Sequence, residues 1–343
     1  MSPADPLLGV ELGDYRIIAR LGKGGMGAVY EAEDLALARK VALKVLLPEF
    51  VDEPRARARF QREIDHAVAI EHPHVVPVYS AGFERPHFYI AMRLVAGPDL
   101  SQELRVTGAL PEERALRLLG QVASALDDVH RRGLVHRDIK PHNVLLWSAG
   151  TEDEHAMLTD FGIAKALDDT RSLTGVGAIG TPAYMAPEIV LGRSASPASD
   201  QYSLGCMAFE LLAGRLPFEG DAASIRAAHV EQAPPALQSA APHVSDATCE
   251  AIDRALCKDP RDRHDSVRAF VHATRAGRKP FETSVRVTEI LATERPTGAA
   301  EQLMRTTALS DAQISHITEL DETEVVRLRR RQARRALLGE RRR

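Results

Sequence analysis

Apolar and polar positions alternate along residues 15–21, 29–32 and 40–45, a period of two that predicts three strands near the start of the chain. A glycine cluster, Gly22 to Gly27, separates the first two, so the pair reads as a hairpin with a flexible tip. Over 54–70 the spacing becomes helical, with Phe60, Ile64, Val68 and Ala67 as the inner stripe. Two further alternating runs, 75–82 and 87–95, complete a lobe expected to hold five strands and one helix. Alternation ends at Val95-Ala96-Gly97-Pro98, which reads as a hinge. Residues 110–132 then carry Leu116, Leu119, Val122, Leu126 and Val129 along one helical face, with Pro111 expected at the first helical position. Val144-Leu145-Leu146 and Met157-Leu158-Thr159 predict a short hairpin whose tip, 149–155, is polar and mobile. The fold class that follows is α+β, a small strand-rich lobe before a larger, mainly helical one.

The length of 343 residues suits two lobes, and a hydrophobic content of 44% suffices for a sizeable core. A net charge of −4, with acids and bases interleaved, argues against nucleic acid as a partner. Cys206, Cys249 and Cys257 form no C-x-x-C and no even framework, which fits a reducing compartment. His72 and His74, bracketing Pro73, read as turn residues rather than metal ligands. Neither a secretory signal nor a run of about 18 apolar residues is visible, so the chain reads as cytoplasmic. Its end is different. Residues 282–324 carry nine acids against three arginines, and 325–343 nine arginines against one acid. Such blocks predict a disordered tail over 276–343, with one short helix from Ser310 and an arginine-rich end suited to peripheral contact with anionic lipid.

The stretch His136-Arg137-Asp138-Ile139-Lys140-Pro141-His142-Asn143 gathers a carboxylate, an ammonium and a carboxamide, and Pro141 stiffens the loop that carries them. Phosphoryl transfer needs these groups: Asp138 to take a hydroxyl proton, Lys140 as a cation for the moving phosphate, and Asn143 as an oxygen ligand for a metal. A polar surface loop is the alternative. The glycine cluster has the spacing G-x-G-x-x-G-x-V, with Gly22, Gly24, Gly27 and Val29, and glycines let main-chain N–H groups approach phosphate. A dinucleotide fold shares part of that pattern but needs a helix after it, and here a β-rich run follows. Lys44, among Ala42, Leu43, Val45 and Leu46, is either a snorkelling surface residue or an internal cation held by an acid, for which Glu63 is the nearest helical option. Asp160-Phe161-Gly162, directly after a strand, can aim the Asp160 carboxylate at a metal.

In order, Gly22/Gly24/Gly27/Val29, Lys44, Glu63, His136-Arg137-Asp138, Asn143, Asp160-Phe161-Gly162 and Ala186-Pro187-Glu188 closely resemble the signature set of the eukaryotic-type (Hanks-type) protein kinases. Lys140, and Gly180-Thr181 before the Ala-Pro-Glu triplet, look like the serine/threonine branch; the glycine loop and arginine-rich tail are similar to bacterial, especially actinobacterial receptor-like, kinases. The resemblance implies a bilobal protein kinase fold over 15–275, with a small lobe over 15–95, a large lobe over 96–275 and an N-terminal tail over 1–14. It implies an ATP-dependent serine/threonine protein kinase using Mg²⁺ or Mn²⁺. By the same resemblance main-chain groups of Gly22, Lys23, Gly24, Gly25, Met26 and Gly27 would cover the phosphates, Leu21 and Ala28 would be further ATP-binding positions, and Val29, Ala42 and Leu145 would sandwich adenine. Met92 would stand as gatekeeper, with main-chain groups of Arg93 and Val95 at the adenine edge. Lys44, paired with Glu63, would hold the α- and β-phosphates, Asn143 and Asp160 the metal, and Asp138 would accept the proton while Lys140 steadies the γ-phosphate. His136 and Phe161 look like members of a stacked apolar spine, Asp200 like a buried acid that steadies the catalytic loop, and Glu188 like the partner of Arg263.

The segment 163–185 carries Thr170, Ser172, Thr174 and Thr181. Autophosphorylation between transiently paired copies is expected, at Thr174 first, then Ser172 and Thr170, with Arg137 as the cation for the new phosphate. Thr181 is expected to support the catalytic loop. The expected partners are proteins with acceptor serines or threonines, and phosphothreonine-binding domains that read the tail threonines; a solvated linker is the competing reading of that tail. Two other function classes are an inactive kinase fold acting as a scaffold, opposed by intact Lys44, Asp138, Asn143 and Asp160, and a small-molecule kinase, opposed by Thr181 and the Ala-Pro-Glu segment.

Overall fold

The computed structural model of the chain describes residues 5–24, 27–46, 64, 67–84, 86–151, 153–160 and 182–275. Gly25, Met26, Glu63, Phe161, Gly162, Thr170, Ser172, Thr174, Thr181 and all of 276–343 lie outside the described residues.

The first half is one antiparallel sheet of six strands in the order β1-β2-β3-β4-β6-β5. They are β1 (Glu11–Leu12), β2 (Tyr15–Gly24), β3 (Gly27–Asp34), β4 (Arg39–Leu46), β5 (Val78–Glu84) and β6 (His87–Arg93). The sequence pattern predicts five; β1 is added because it spans only two residues, too short to show a period, and pairs Leu12 with Tyr15. A strand, not a helix, follows the glycines, with Gly24 opposite Gly27. Along β4 the pleat sends Val41, Leu43 and Val45 into one apolar cluster and Ala42 and Leu46 into another on the opposite face. Lys44 has the parity of Ala42. Ile64 and Ala67 are buried against that same face, whereas Val68 is 43% exposed and drops out of the predicted stripe: with Ala67 turned inward, its neighbour faces solvent.

The strip that follows is shared. Ile70 and Val75 sink into the core of the second half, and Val76 N–H donates to Leu158 O at 2.9 Å while Leu158 N–H donates to His74 O at 2.9 Å. The second half is mainly helical: α1 (Leu100–Thr107), α2 (Glu112–Arg131), α3 (Pro187–Val190), α4 (Pro197–Ala213), α5 (Ala222–Glu231), α6 (Leu237–Ala240), α7 (Asp246–Ala255) and α8 (Val267–Ala273). Asp99 and Gln102 close a capping box on α1. The predicted apolar stripe of α2 is wholly buried, but Pro111 is its N-cap rather than its first helical residue, because its ψ of 138° keeps it extended. α4 is buried on almost every side and forms the post around which the helices pack.

A two-stranded ribbon, β7 (Val144–Trp147) and β8 (His155–Leu158), lies between α2 and α3 in the chain. Its tip is not simply the mobile turn the sequence predicts. Glu154 is buried and accepts hydrogen bonds from Arg114 Nε at 3.1 Å, Arg117 Nη2 at 3.1 Å and Gly150 N–H at 3.0 Å. Among the described residues no helix is long and apolar enough to cross a membrane.

Candidate active site

The loop 136–143 is fixed from beneath by one carboxylate. Asp200, on α4 and almost fully buried, accepts the main-chain N–H of His136 and of Arg137, each at 2.8 Å, and lies 2.8 Å from His130 Nε2. Arg137 stands at φ 68°, left-handed backbone that costs an L-residue on the order of 1–2 kcal/mol. The two charge-assisted bonds to Asp200 offset that cost. His136 is fully buried, and burial lowers its pKa, so the ring is neutral. Its Nδ1 accepts the Asp138 N–H at 3.3 Å, which puts the proton on Nε2, where it is donated to Thr159 O at 3.0 Å. The ring is therefore a hydrogen-bonded bridge between two loops.

Pro141 to Asn143 form a single 3₁₀ turn that swings Asn143 back over Asp138. Asn143 Nδ2 donates to Asp138 O at 2.7 Å and to Asp138 Oδ2 at 2.9 Å, and Lys140 Nζ lies 2.8 Å from the same Oδ2. The carboxylate, ammonium and carboxamide thus meet around one oxygen. With the amide nitrogen committed to Asp138, the oxygen Oδ1 is the Asn143 side-chain atom not used in these bonds. Asn143 O accepts Thr159 N–H at 2.9 Å, which sets Asp160 beside it. Asp160 is itself left-handed, at φ 59°. Its Oδ1 lies 2.8 Å from Lys44 Nζ, an ion pair that joins the sheet to the helical half. Lys44 is held inward, not snorkelling: its side chain is only 17% exposed.

Above this polar floor lies an apolar wall drawn from both halves. Ala42, Met92, Val95 and Met157 are buried together, and Val29 and Leu145 pack against them. Thr159 Oγ1 donates to Met92 Sδ at 3.6 Å. Arg93 N–H is already used by Pro77 O at 3.0 Å, so at that residue the carbonyl is the main-chain group left for a ligand. The glycines divide into two kinds. A Cβ on Gly27 would stand 2.1 Å from Val45 O, so this position is dictated by the sheet itself. Among the described residues a Cβ on Gly22 would meet nothing within 4 Å, and one on Gly24 only Gly27 O, at 3.9 Å. Leu21 and Lys23 are exposed on the same hairpin arm, with Ala28 partly buried opposite.

Asn143 Oδ1 and the Asp160 carboxylate are hard oxygen donors, the set that Mg²⁺ or Mn²⁺ takes when phosphate oxygens complete the shell. No group of three or more His, Cys, Asp or Glu with metal spacing occurs among the described residues. Sequence reasoning did not single out His130 as a partner of Asp200, or Thr159 as the residue bonded to both His136 and Asn143. Neither belongs to a recognisable spacing; each acts through contacts made by the fold.

Residues 15–274 match the family described as the protein kinase domain. Serine/threonine-protein kinase PknJ of Mycobacterium tuberculosis is 43% identical over 266 residues, covering 76% of this chain and 45% of that protein. PknE of the same organism is 41% identical over 257 residues, covering 75% and 44%. The chain thus spans less than half the length of these curated relatives. The crystal structure of the Mycobacterium tuberculosis PknI kinase domain superposes with a TM-score of 0.64 at 33% identity, covering 78% of this chain and 98% of that one. The chain belongs to the protein kinase family, on the bacterial serine/threonine branch with these relatives.

Proposed function

We propose that this chain transfers the γ-phosphate of ATP to serine and threonine hydroxyls of proteins, through a kinase domain over 15–275. The observation that carries the reading is the Lys44–Asp160 pair, which brings a cation of the sheet to the loop that ends beside Asp138, Lys140 and Asn143. The acceptor oxygen forms a bond to the γ-phosphorus as the bond to the β,γ-bridging oxygen breaks; ADP leaves, and the hydroxyl proton passes to the Asp138 carboxylate. Lys140 neutralises charge on the moving phosphoryl group, and Lys44 holds the α- and β-phosphates. Asn143 Oδ1 and Asp160 would hold Mg²⁺ or Mn²⁺, which supplies charge neutralisation. Val29, Ala42 and Leu145 enclose adenine, with the Arg93 carbonyl and the Val95 main chain at its edge. Most of the rate enhancement is positioning.

Autophosphorylation at Thr174, with Ser172 and Thr170 as further sites, in trans between transient pairs of the chain, belongs to the same proposal. So do cytoplasmic placement with peripheral membrane contact through the arginine-rich end, and phosphothreonine-binding domains as readers. Incubation with labelled ATP, Mg²⁺ and a general protein acceptor tests the core reading. Label should transfer to serine and threonine, and Asp138→Asn should lower the rate by about 10²–10⁴-fold without unfolding the chain. A wild-type protein that transfers no label with either metal, or an Asp138→Asn variant as active as wild type, sinks it. Phosphosite mapping over 170–174 tests the regulatory part.

A further inference from the structure

Helices α2 and α8 flank a groove of about 650 Å³ whose lining includes no residue of the catalytic cluster. Its floor is made of short side chains, Gly120, Ala123 and Val271. A Cβ on Gly120 would stand 3.3 Å from Arg275 Nη2, so the guanidinium lies across the place where a larger residue would sit. Its walls are two polar stripes. On α2, Arg117, Gln121 and Ser124 recur at helical spacing, and on and just beyond α8, Arg268, His272 and Arg275 do the same.

Four arginines line the groove against one aspartate. Two of the four are already committed: Arg117 to Glu154, and Arg131 to Asp127 and Asp128. Arg268 and Arg275 are exposed, and among the described residues neither pairs with a carboxylate. The opposite wall is already bonded, Gln121 to Ala156 N–H and Glu154 O and Ser124 to His72, so the groups left to a ligand are the two exposed guanidinium groups, and a concave site carrying them suits an anionic, extended chain that presents carboxylates to Arg268 and Arg275.

We propose that the groove between α2 and α8 docks an acidic peptide segment of a partner protein, holding it to the kinase at a place separate from the catalytic cleft. The proposal does not depend on the phosphotransfer reading, because docking is measured without nucleotide. Anisotropy of a labelled twelve-residue Glu/Ser peptide is followed against the full chain, with a Gln/Ser peptide, inorganic phosphate and anionic vesicles as comparators. The acidic peptide should bind at least tenfold more tightly than its Gln counterpart, and weaken as salt is raised. The double variant Arg268→Glu/Arg275→Glu, altered only at exposed positions, should lose at least tenfold in that affinity while keeping its thermal melt. Equal affinity of wild type and double variant, or equal affinity for the two peptides, overturns the proposal. So does a groove that vesicles or phosphate alone occupy as readily as the peptide.

Discussion

Asp200 accepts the main-chain N–H of Arg137 at 2.8 Å, and Arg137 is one of four non-glycine residues with positive φ among the described residues. A buried carboxylate on a core helix therefore holds the loop 136–143 in a conformation it would not choose alone. Replacing it tests that dependence. Asp200→Asn keeps the shape but loses the charge and turns an N–H₂ toward one of the two main-chain donors. We expect a loss of about 3 kcal/mol in unfolding free energy and a steep fall in phosphotransfer. Thermal denaturation and a steady-state assay on the same preparation check both; an unchanged rate would show that the loop holds itself.

The Glu188–Arg263 pair should behave in the opposite way, mattering to stability and little to chemistry. Both oxygens of Glu188 take 2.8 Å bonds from Arg263, which is also bonded to the carbonyls of Cys257, Ala198 and Lys258 and lies over the Tyr202 ring. Glu188→Gln or Arg263→Met leaves one buried charge unpaired and should cost about 3–5 kcal/mol. Removing both charges, as Glu188→Gln with Arg263→Met, should recover part of the loss. Urea midpoints of the two single variants and the double variant decide this.

His229 on α5 sets a pH limit. It is fully buried, its Nδ1 is bonded to the Tyr202 hydroxyl at 2.9 Å, and its Nε2 faces the carbonyls of Pro182 and Ala183 without closing a hydrogen bond. Burial, and then the Lys258 charge, push its pKa down to about 4. A base with a lowered folded pKa binds protons more weakly folded than unfolded. Its contribution is therefore intact above the ordinary value near 6.5 and is lost as pH falls toward 4. Up to about 3 kcal/mol is at stake, from roughly 1.36 kcal/mol per pKa unit. The difference in unfolding free energy between wild type and His229→Gln, measured from pH 7 to 4, should shrink steadily as pH falls. A flat difference would show that the ring does not titrate there.

Glu154 gives a fourth test. Burial opposes its charged form, but the bonds from Arg114 and Gly150 outweigh that and hold its carboxyl below the ordinary range. Arg114 also pairs with Glu103, so Glu154→Gln does not orphan it. The expected cost is about 2 kcal/mol in stability with phosphotransfer unchanged. Amide exchange at the β7–β8 tip should quicken in the variant; equal exchange would mean that the ion pairs do not anchor it.

What could be read from the sequence followed from periodicity and from close spacing along the chain. The stripe of α2 was legible because five apolar residues at helical intervals have only one way to face a core. The loop 136–143 was legible because its three polar ends sit within six residues. Glu154 was misread because its arginines lie 37 and 40 residues earlier, and no local pattern reports burial. Val68 was misread because Ile64, Ala67 and Val68 all fit one stripe, and only packing chooses its centre. The pairing of Lys44 with Asp160 is likewise tertiary: the residues are 116 positions apart, and the parity of β4 alone said only which face the lysine takes.

The strip 72–76 precedes β5 in the chain but is bonded to β8 and plugged by Val75 into the helical core. The chain therefore passes between the sheet and the helical core three times, between Ala67 and Ile70, near Pro77 and after Arg93, and the last two crossings are tied together by the Arg93 N–H to Pro77 carbonyl bond. Three crossings stitch the sheet to the helical core along one edge, so a change that loosens any one of them leaves two others to keep Lys44 within reach of Asp160.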